Sequence, residues 1–113
     1  MVFIDKETND LSYKIIGCAY NVHKDGPGLL ESAYETCLCY ELSKIEINYE
    51  KQKGLPIIYK DVTLDCGYRI DILVENKIVI ELKTVEKLLP IHTAQIMTYL
   101  KLSNKHLGLL FNF

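Results

Sequence analysis

Arginine is nearly missing from this chain. Of its thirteen basic residues only Arg69 is an arginine, and the rest are lysines. Few bidentate guanidinium–phosphate clamps are therefore available. Net charge is −2 and the sequence pI about 5.9, which argues against gripping nucleic acid by bulk positive charge. A local hold on one phosphodiester remains open. No apolar run approaches the roughly 20 residues that span a bilayer, so no membrane association is expected. MVFIDKETND lacks a basic start followed by an apolar stretch, so a secretory signal is not expected and the expected location is cytoplasmic. Repeats, low-complexity tracts and Pro/Gly/Ser linkers are also missing. With 113 residues, residues 1–113 are expected to form one domain.

The four cysteines, Cys18, Cys37, Cys39 and Cys66, make no C-x-x-C pair. Cys37 and Cys39 would point in different directions on a helix, and zinc sites usually want two pairs with longer gaps. Free buried thiols in a reducing compartment are the expectation. A zinc-binding regulator using the cysteines and His23 is a poorly spaced alternative.

What is present is patterned. Leu11, Ile15, Cys18, Ala19 and Val22 fall at helical spacing, predicting a helix over 10–23 with Asn9 or Asp10 as N-cap. Asp25-Gly26-Pro27-Gly28 breaks it. A second helix is predicted over 29–44, with Leu30, Ala33, Tyr34, Cys37, Leu38 and Leu42 as its apolar stripe. Strands are predicted over 47–53, 56–60, 62–74 and 77–85, with a turn at Lys53-Gly54. Ile78, Val79, Ile80 and Leu82 suggest a strand buried on both faces. Pro90 opens a third helix to about Ser103, and 106–113 reads as a last strand. The order αα-ββββ-α-β predicts a layered α/β (α+β) domain around a central mixed sheet of about four strands.

The chemistry is concentrated in Tyr68–Lys83. Glu75-Asn76-Lys77 is a short polar break between two β-like runs, hence a hairpin. Asp71 and Glu81 each lie five residues from Asn76, so they face each other across it, with Cβ atoms roughly 4.5–5.5 Å apart. Lys83 lies two residues on and shares their face. Two close carboxylates repel and favour a divalent cation, and hard oxygen ligands suit Mg²⁺ or Mn²⁺. Such a metal polarises phosphoryl oxygens and acidifies bound water. A structural cross-strand ion pair on a solvated face would explain the same residues without chemistry. Glu31 in the first turn of the second helix is favoured by the helix dipole, with Tyr34 expected in the core. His92, Gln95 and Tyr99 share one face of the third helix, where they either line the site or meet solvent.

Asp71, Glu81-Leu82-Lys83 and Gln95-x-x-x-Tyr99, preceded by helical Glu31, resemble the PD-(D/E)XK nuclease superfamily. More narrowly, Gly28-x-x-Glu31-x-x-Tyr34, Tyr68-Arg69-x-Asp71, Glu81-Leu82-Lys83, His92-x-x-Gln95 and the final Gly-Leu-Leu-Phe-Asn-Phe resemble the GxxExxY family. Ile70 stands where the motif name has proline. The resemblance spans about Leu11 to Phe113, and relatives usually run on past the last strand. It implies a restriction-endonuclease-like fold and Mg²⁺-dependent (or Mn²⁺-dependent) hydrolysis of nucleic-acid phosphodiesters, with DNA the favoured substrate. It implies Asp71 and Glu81 as metal ligands, the Leu82 carbonyl as a third, and Glu31 as a ligand through water. Lys83 would position or activate the attacking water, and Gln95 would steady the site or contact nucleic acid. Tyr99, His92 and Tyr34 would give support. A catalytically silent nucleic-acid- or protein-binding module with the same fold is the alternative. A homodimer or protein partner would give such a short acidic chain more contact area.

Overall fold

The computed structural model describes residues 3–26 and 28–113; Pro27 of the predicted helix break lies outside them. The first helix, α1, is Lys6–Asp25. It starts four residues before the predicted Asp10. Asp5 is its N-cap, accepting the Thr8 amide at 2.7 Å, in place of the expected Asn9 or Asp10. The early turn escaped an apolar count because its inward residues are polar: Thr8 and Ser12 are buried in line with Ile15, Ala19 and Val22. The Ser12 hydroxyl is satisfied by the Asn9 carbonyl at 2.6 Å. The second helix, α2, is Glu31–Lys44 and starts two residues later than predicted.

Among the described residues six strands follow in place of the predicted five: β1 (Tyr49–Gly54), β2 (Ile57–Tyr59), β3 (Val62–Leu64), β4 (Arg69–Val74), β5 (Ile78–Lys83) and, after the third helix, β6 (Leu107–Asn112). The predicted 62–74 strand is two. Asp65 accepts the Gly67 amide at 2.8 Å in a side-chain turn, and Gly67 adopts a φ of 77°. A left-handed residue held this way ends the extended run. The expected turn at Lys53-Gly54 is absent, since Gly54 still pairs with Arg69. The third helix, α3, is Pro90–Ser103 as predicted. Proline at its first position sets φ and lacks an amide that the helix could not have used.

The central sheet has the order β1-β4-β5-β6. Its first two pairings are antiparallel and β5–β6 is parallel, joined through α3. β2 and β3 form a separate hairpin. One face of the sheet packs on α1 and α2 through Ile15, Val22, Leu38, Leu42, Ile72, Ile78, Ile80 and Leu82. The other packs on α3 through Leu73, Val79, Ile96 and Tyr99. β5 is covered on both sides, as its unbroken apolar run predicted. This is the expected mixed four-stranded sheet flanked by helices. No described helix is long and apolar enough to cross a membrane.

Of the cysteines, only Cys18 and Cys39 are buried; Cys37 is half-buried and Cys66 exposed. The expectation of four buried thiols thus holds for two. Cys66 falls in the break between β3 and β4, which has no core side. Burial pushes the Cys39 thiol up to about 11, which keeps it protonated and unreactive.

Ile80 is fully enclosed beneath α1 and α2. Ile80→Ala is expected to cost about 2–5 kcal/mol of stability, read as a lower midpoint in urea denaturation with an unchanged slope.

Candidate active site

The β4–β5 hairpin turns at Glu75 and Asn76, with φ of 50° and 54°, closed by the Lys77 amide on the Val74 carbonyl at 2.9 Å. Pairing then runs Val74↔Ile78, Leu73↔Val79, Ile72↔Ile80. One step further, Asp71 stands opposite Glu81, in the register expected from Asn76. There the backbone ladder between these strands ends. β4 stays with β1 through Ile70 and Arg69, and β5 stays with β6 through Lys83. The two central strands part company, leaving amides that neither can satisfy from the other's backbone.

The carboxylates fill that fork. Asp71 Oδ2 accepts the Leu82 amide at 2.8 Å, and Glu81 Oε1 accepts the Asp71 amide at 3.1 Å. Each acid thus bonds the opposite strand. Inward facing is disturbed at the same point. Ile70 packs with the α3 cluster and Ile72 with the α1–α2 cluster. On β1, between the partners of these two isoleucines, Gln52 has a φ of 51°.

Glu81 is 2% exposed and Asp71 half-buried. Burial pushes the Glu81 carboxyl up to about 8, and the Asp71 charge adds to the rise. The hydrogen bond from the Asp71 amide and the Lys83 ammonium pull the other way. Among the described residues no fully buried side-chain nitrogen or oxygen lacks a partner. The Asp71 side chain also meets the Glu81 carboxyl and adds to the rise.

Lys83 is half-buried at the end of β5, its carbonyl accepting the Phe113 amide at 2.9 Å. Its ammonium forms no ion pair within 4.0 Å among the described residues. The structural cross-strand pair that could have explained these residues is therefore not made. Its charge nonetheless opposes the rise of both Glu81 and Glu31.

Glu31 is the first residue of α2 and exposed. Its carboxyl is pushed up, first by partial desolvation and then by the Asp71 charge, which puts it within electrostatic reach of the fork. The spacing Gly28-x-x-Glu31-x-x-Tyr34 has a local cause. Gly28 turns the chain at a φ of 76°. Three residues into α2, the buried Tyr34 accepts the Leu29 amide at 3.1 Å and stacks on Phe113 at 4.6 Å. Glu31 is held between these anchors. Among the described residues no three His, Cys, Asp or Glu side chains gather closely enough to ligate one ion. Glu31 thus does not complete a three-carboxylate cage, and the cysteines with His23 form no zinc site.

The α3 side chains make their hydrogen bonds within their own helix and its cap. Gln95 Nε2 donates to the Tyr99 hydroxyl at 3.0 Å, and its amide makes no bond to Asp71, Glu81 or Lys83. His92 Nδ1 accepts the Leu89 amide at 2.9 Å and so caps α3. Tyr99 is buried. Helical spacing gathered these three on one face but could not say how far that face lies from the fork.

One positioning residue was missed. Asn112, the β6 partner of Lys83, bonds Val85 through both ends of its amide, at 2.8 and 3.0 Å. It ties down the chain just after Lys83. An asparagine inside the final apolar run was the available signal.

Residues 9–113 match the family model of the PD-(D/E)XK nuclease superfamily. No curated protein and no solved structure matches the chain.

The Glu81 proton has a consequence for the metal-free protein. The folded chain keeps a proton up to about pH 8 that an unfolded glutamate, with its ordinary value of 4.5, has already released. Stability must therefore fall as pH rises between those values, and the raised Glu31 adds in the same direction. Glu81→Gln keeps the acceptor for the Asp71 amide and removes the charge. In EDTA at pH 8 it is expected to be more stable than wild type by on the order of 1 kcal/mol or more, a Tm rise of several degrees. The gap should close towards pH 4.5; a gap that is constant with pH would refute the burial account.

Proposed function

Because the chain belongs to the PD-(D/E)XK nuclease superfamily, we propose that it hydrolyses nucleic-acid phosphodiester bonds at the β4–β5 fork, with DNA as the favoured substrate. The observation that carries the reading is the pair of crossed carboxylates. Asp71 and Glu81 face each other where the ladder ends, each with one oxygen anchored on a backbone amide of the opposite strand, and their carboxyl side chains meet. A desolvated carboxylate beside a second one is costly to ionise. A divalent cation between them offsets that cost, and oxygen donors suit Mg²⁺ or Mn²⁺. The donor set therefore fits such an ion. Bound there, it would supply Lewis-acid polarisation of a phosphoryl oxygen and a more acidic water.

The remaining roles belong to the chain. Asp71 and Glu81 would hold the ion, with the Leu82 carbonyl as a third donor. Glu31, at the start of α2, would hold it through water. Lys83, not tied up in an ion pair, has an ammonium available to hold the attacking water or to steady the growing phosphoryl charge. Gln95 contacts nucleic acid away from the reacting atoms. Tyr34 and His92 keep the starts of α2 and α3 in place, and Tyr99 orients Gln95. Within the superfamily we assign the chain to the GxxExxY family, on Gly28, Glu31 and Tyr34 together with Tyr68-Arg69-x-Asp71 and the Gly-Leu-Leu-Phe-Asn-Phe end.

The test is Mg²⁺- or Mn²⁺-dependent cleavage of labelled single- and double-stranded DNA and RNA. Lys83→Ala is expected to lower the rate about 10²–10³-fold with an unchanged Tm; cleavage at the wild-type rate would refute its role. Asp71→Asn is expected to abolish Mn²⁺ binding in a calorimetric titration, and unchanged affinity would remove Asp71 from the ligand set. Metal binding with no cutting of any substrate would favour the non-cutting binding module.

A further inference from the structure

Arg69 opens β4 and Tyr68 immediately precedes it, two and three residues before Asp71, and the reading above gives neither a task. Arg69 is exposed and forms no ion pair within 4.0 Å among the described residues. Its guanidinium lies over Gly54 on the neighbouring strand, with Nη1 2.9 Å from where a Cβ would stand. The absent side chain of Gly54 gives it room. The chain's only guanidinium thus stands free of carboxylates, about two residues or roughly 7 Å of strand from Asp71.

Tyr68 lies on the α3 side. Its carbonyl accepts the Leu55 amide at 2.8 Å, and its ring is tilted against that of Tyr99 at 5.9 Å. Together with Ile91, Ala94, Gln95 and Thr98 the two tyrosines line a groove of about 420 Å³. Tyr68 is 37% exposed. Gln95 spends one N–H on Tyr99, which among the described residues leaves its carbonyl and second N–H without a protein partner. An aromatic face beside a half-free amide matches a nucleobase, which offers a π-surface and an edge of donors and acceptors.

Resting on the nuclease reading, we propose that Tyr68 and Arg69 select an unpaired strand. Arg69 takes a phosphate next to the one being cut, and the adjoining base leaves its stack to lie on Tyr68 with its edge on Gln95. A base inside a helix, stacked on both sides, cannot enter this groove. The site therefore prefers single-stranded segments or frayed ends to continuous duplex. This also suits an acidic chain, because one guanidinium and one stacked base replace a broad basic surface.

The experiment is binding in EDTA, where nothing is cut. The probe is a short DNA strand carrying 2-aminopurine, alone or in a blunt duplex. Wild type is expected to bind the single strand more tightly than the duplex and to quench its fluorescence. Tyr68→Ala is expected to weaken single-strand binding roughly five- to a hundredfold and abolish the quench, while Tyr68→Phe restores both. Arg69→Gln should reduce the salt dependence by about one phosphate contact. The proposal is overturned by equal or tighter duplex binding, by wild-type affinity in Tyr68→Ala, or by a Tyr68→Phe variant as weak as Tyr68→Ala. Metal-dependent cutting that is lost in Lys83→Ala but indifferent to Tyr68→Ala would refute this inference and leave the nuclease reading intact. No binding to any nucleic acid together with no cleavage would overturn both.

Discussion

Everything at this site depends on where two central strands stop sharing hydrogen bonds. β4 and β5 are paired as far as Ile72↔Ile80 and then follow different outer neighbours. Buried amides at the parting must still be satisfied, and Asp71 and Glu81 do so from opposite sides. The fork thus gives the carboxylates a structural duty that fixes them in orientation. Both carboxyl groups are thus placed by the backbone, without a loop to order.

The arrangement carries an electrostatic cost. Glu81 is almost fully enclosed, with a second carboxylate beside it and a lysine too distant for an ion pair. A protein selected for stability alone would put an apolar side chain there, flanked as the position is by Ile80 and Leu82. Conflict between local burial and residue type marks a functional site on general grounds. Here burial and the neighbouring Asp71 charge favour a proton on Glu81, and in the function proposed above a divalent cation would relieve the same conflict.

Both helical layers bring residues towards this strand end by local devices. On one side Gly28 and Tyr34 fix the entry to α2 and so place Glu31. On the other, Pro90 and His92 start α3, and Gln95 with Tyr99 forms the wall of the groove beside Tyr68. The sheet supplies the crossed carboxylates. The helices supply what surrounds it, and the open end of β4 connects the two.

The sequence by itself determined the hairpin register. A polar break at Asn76 and a period of two suffice to put Asp71 opposite Glu81, because turn and pleat are local geometry. It also determined the span of α3 from Pro90, and the doubly buried β5 from its continuous apolar run. Only the tertiary structure decided that the ladder ends just past Ile72↔Ile80, since that depends on which outer strand each central strand keeps. It alone split the 62–74 run, where a side-chain turn at Asp65 and a left-handed Gly67 outweighed β-propensity. It left Lys83 unpaired and set Gln95 on a groove with Tyr68. Those outcomes turn on distances between elements far apart in the chain, and no spacing along one segment encodes them.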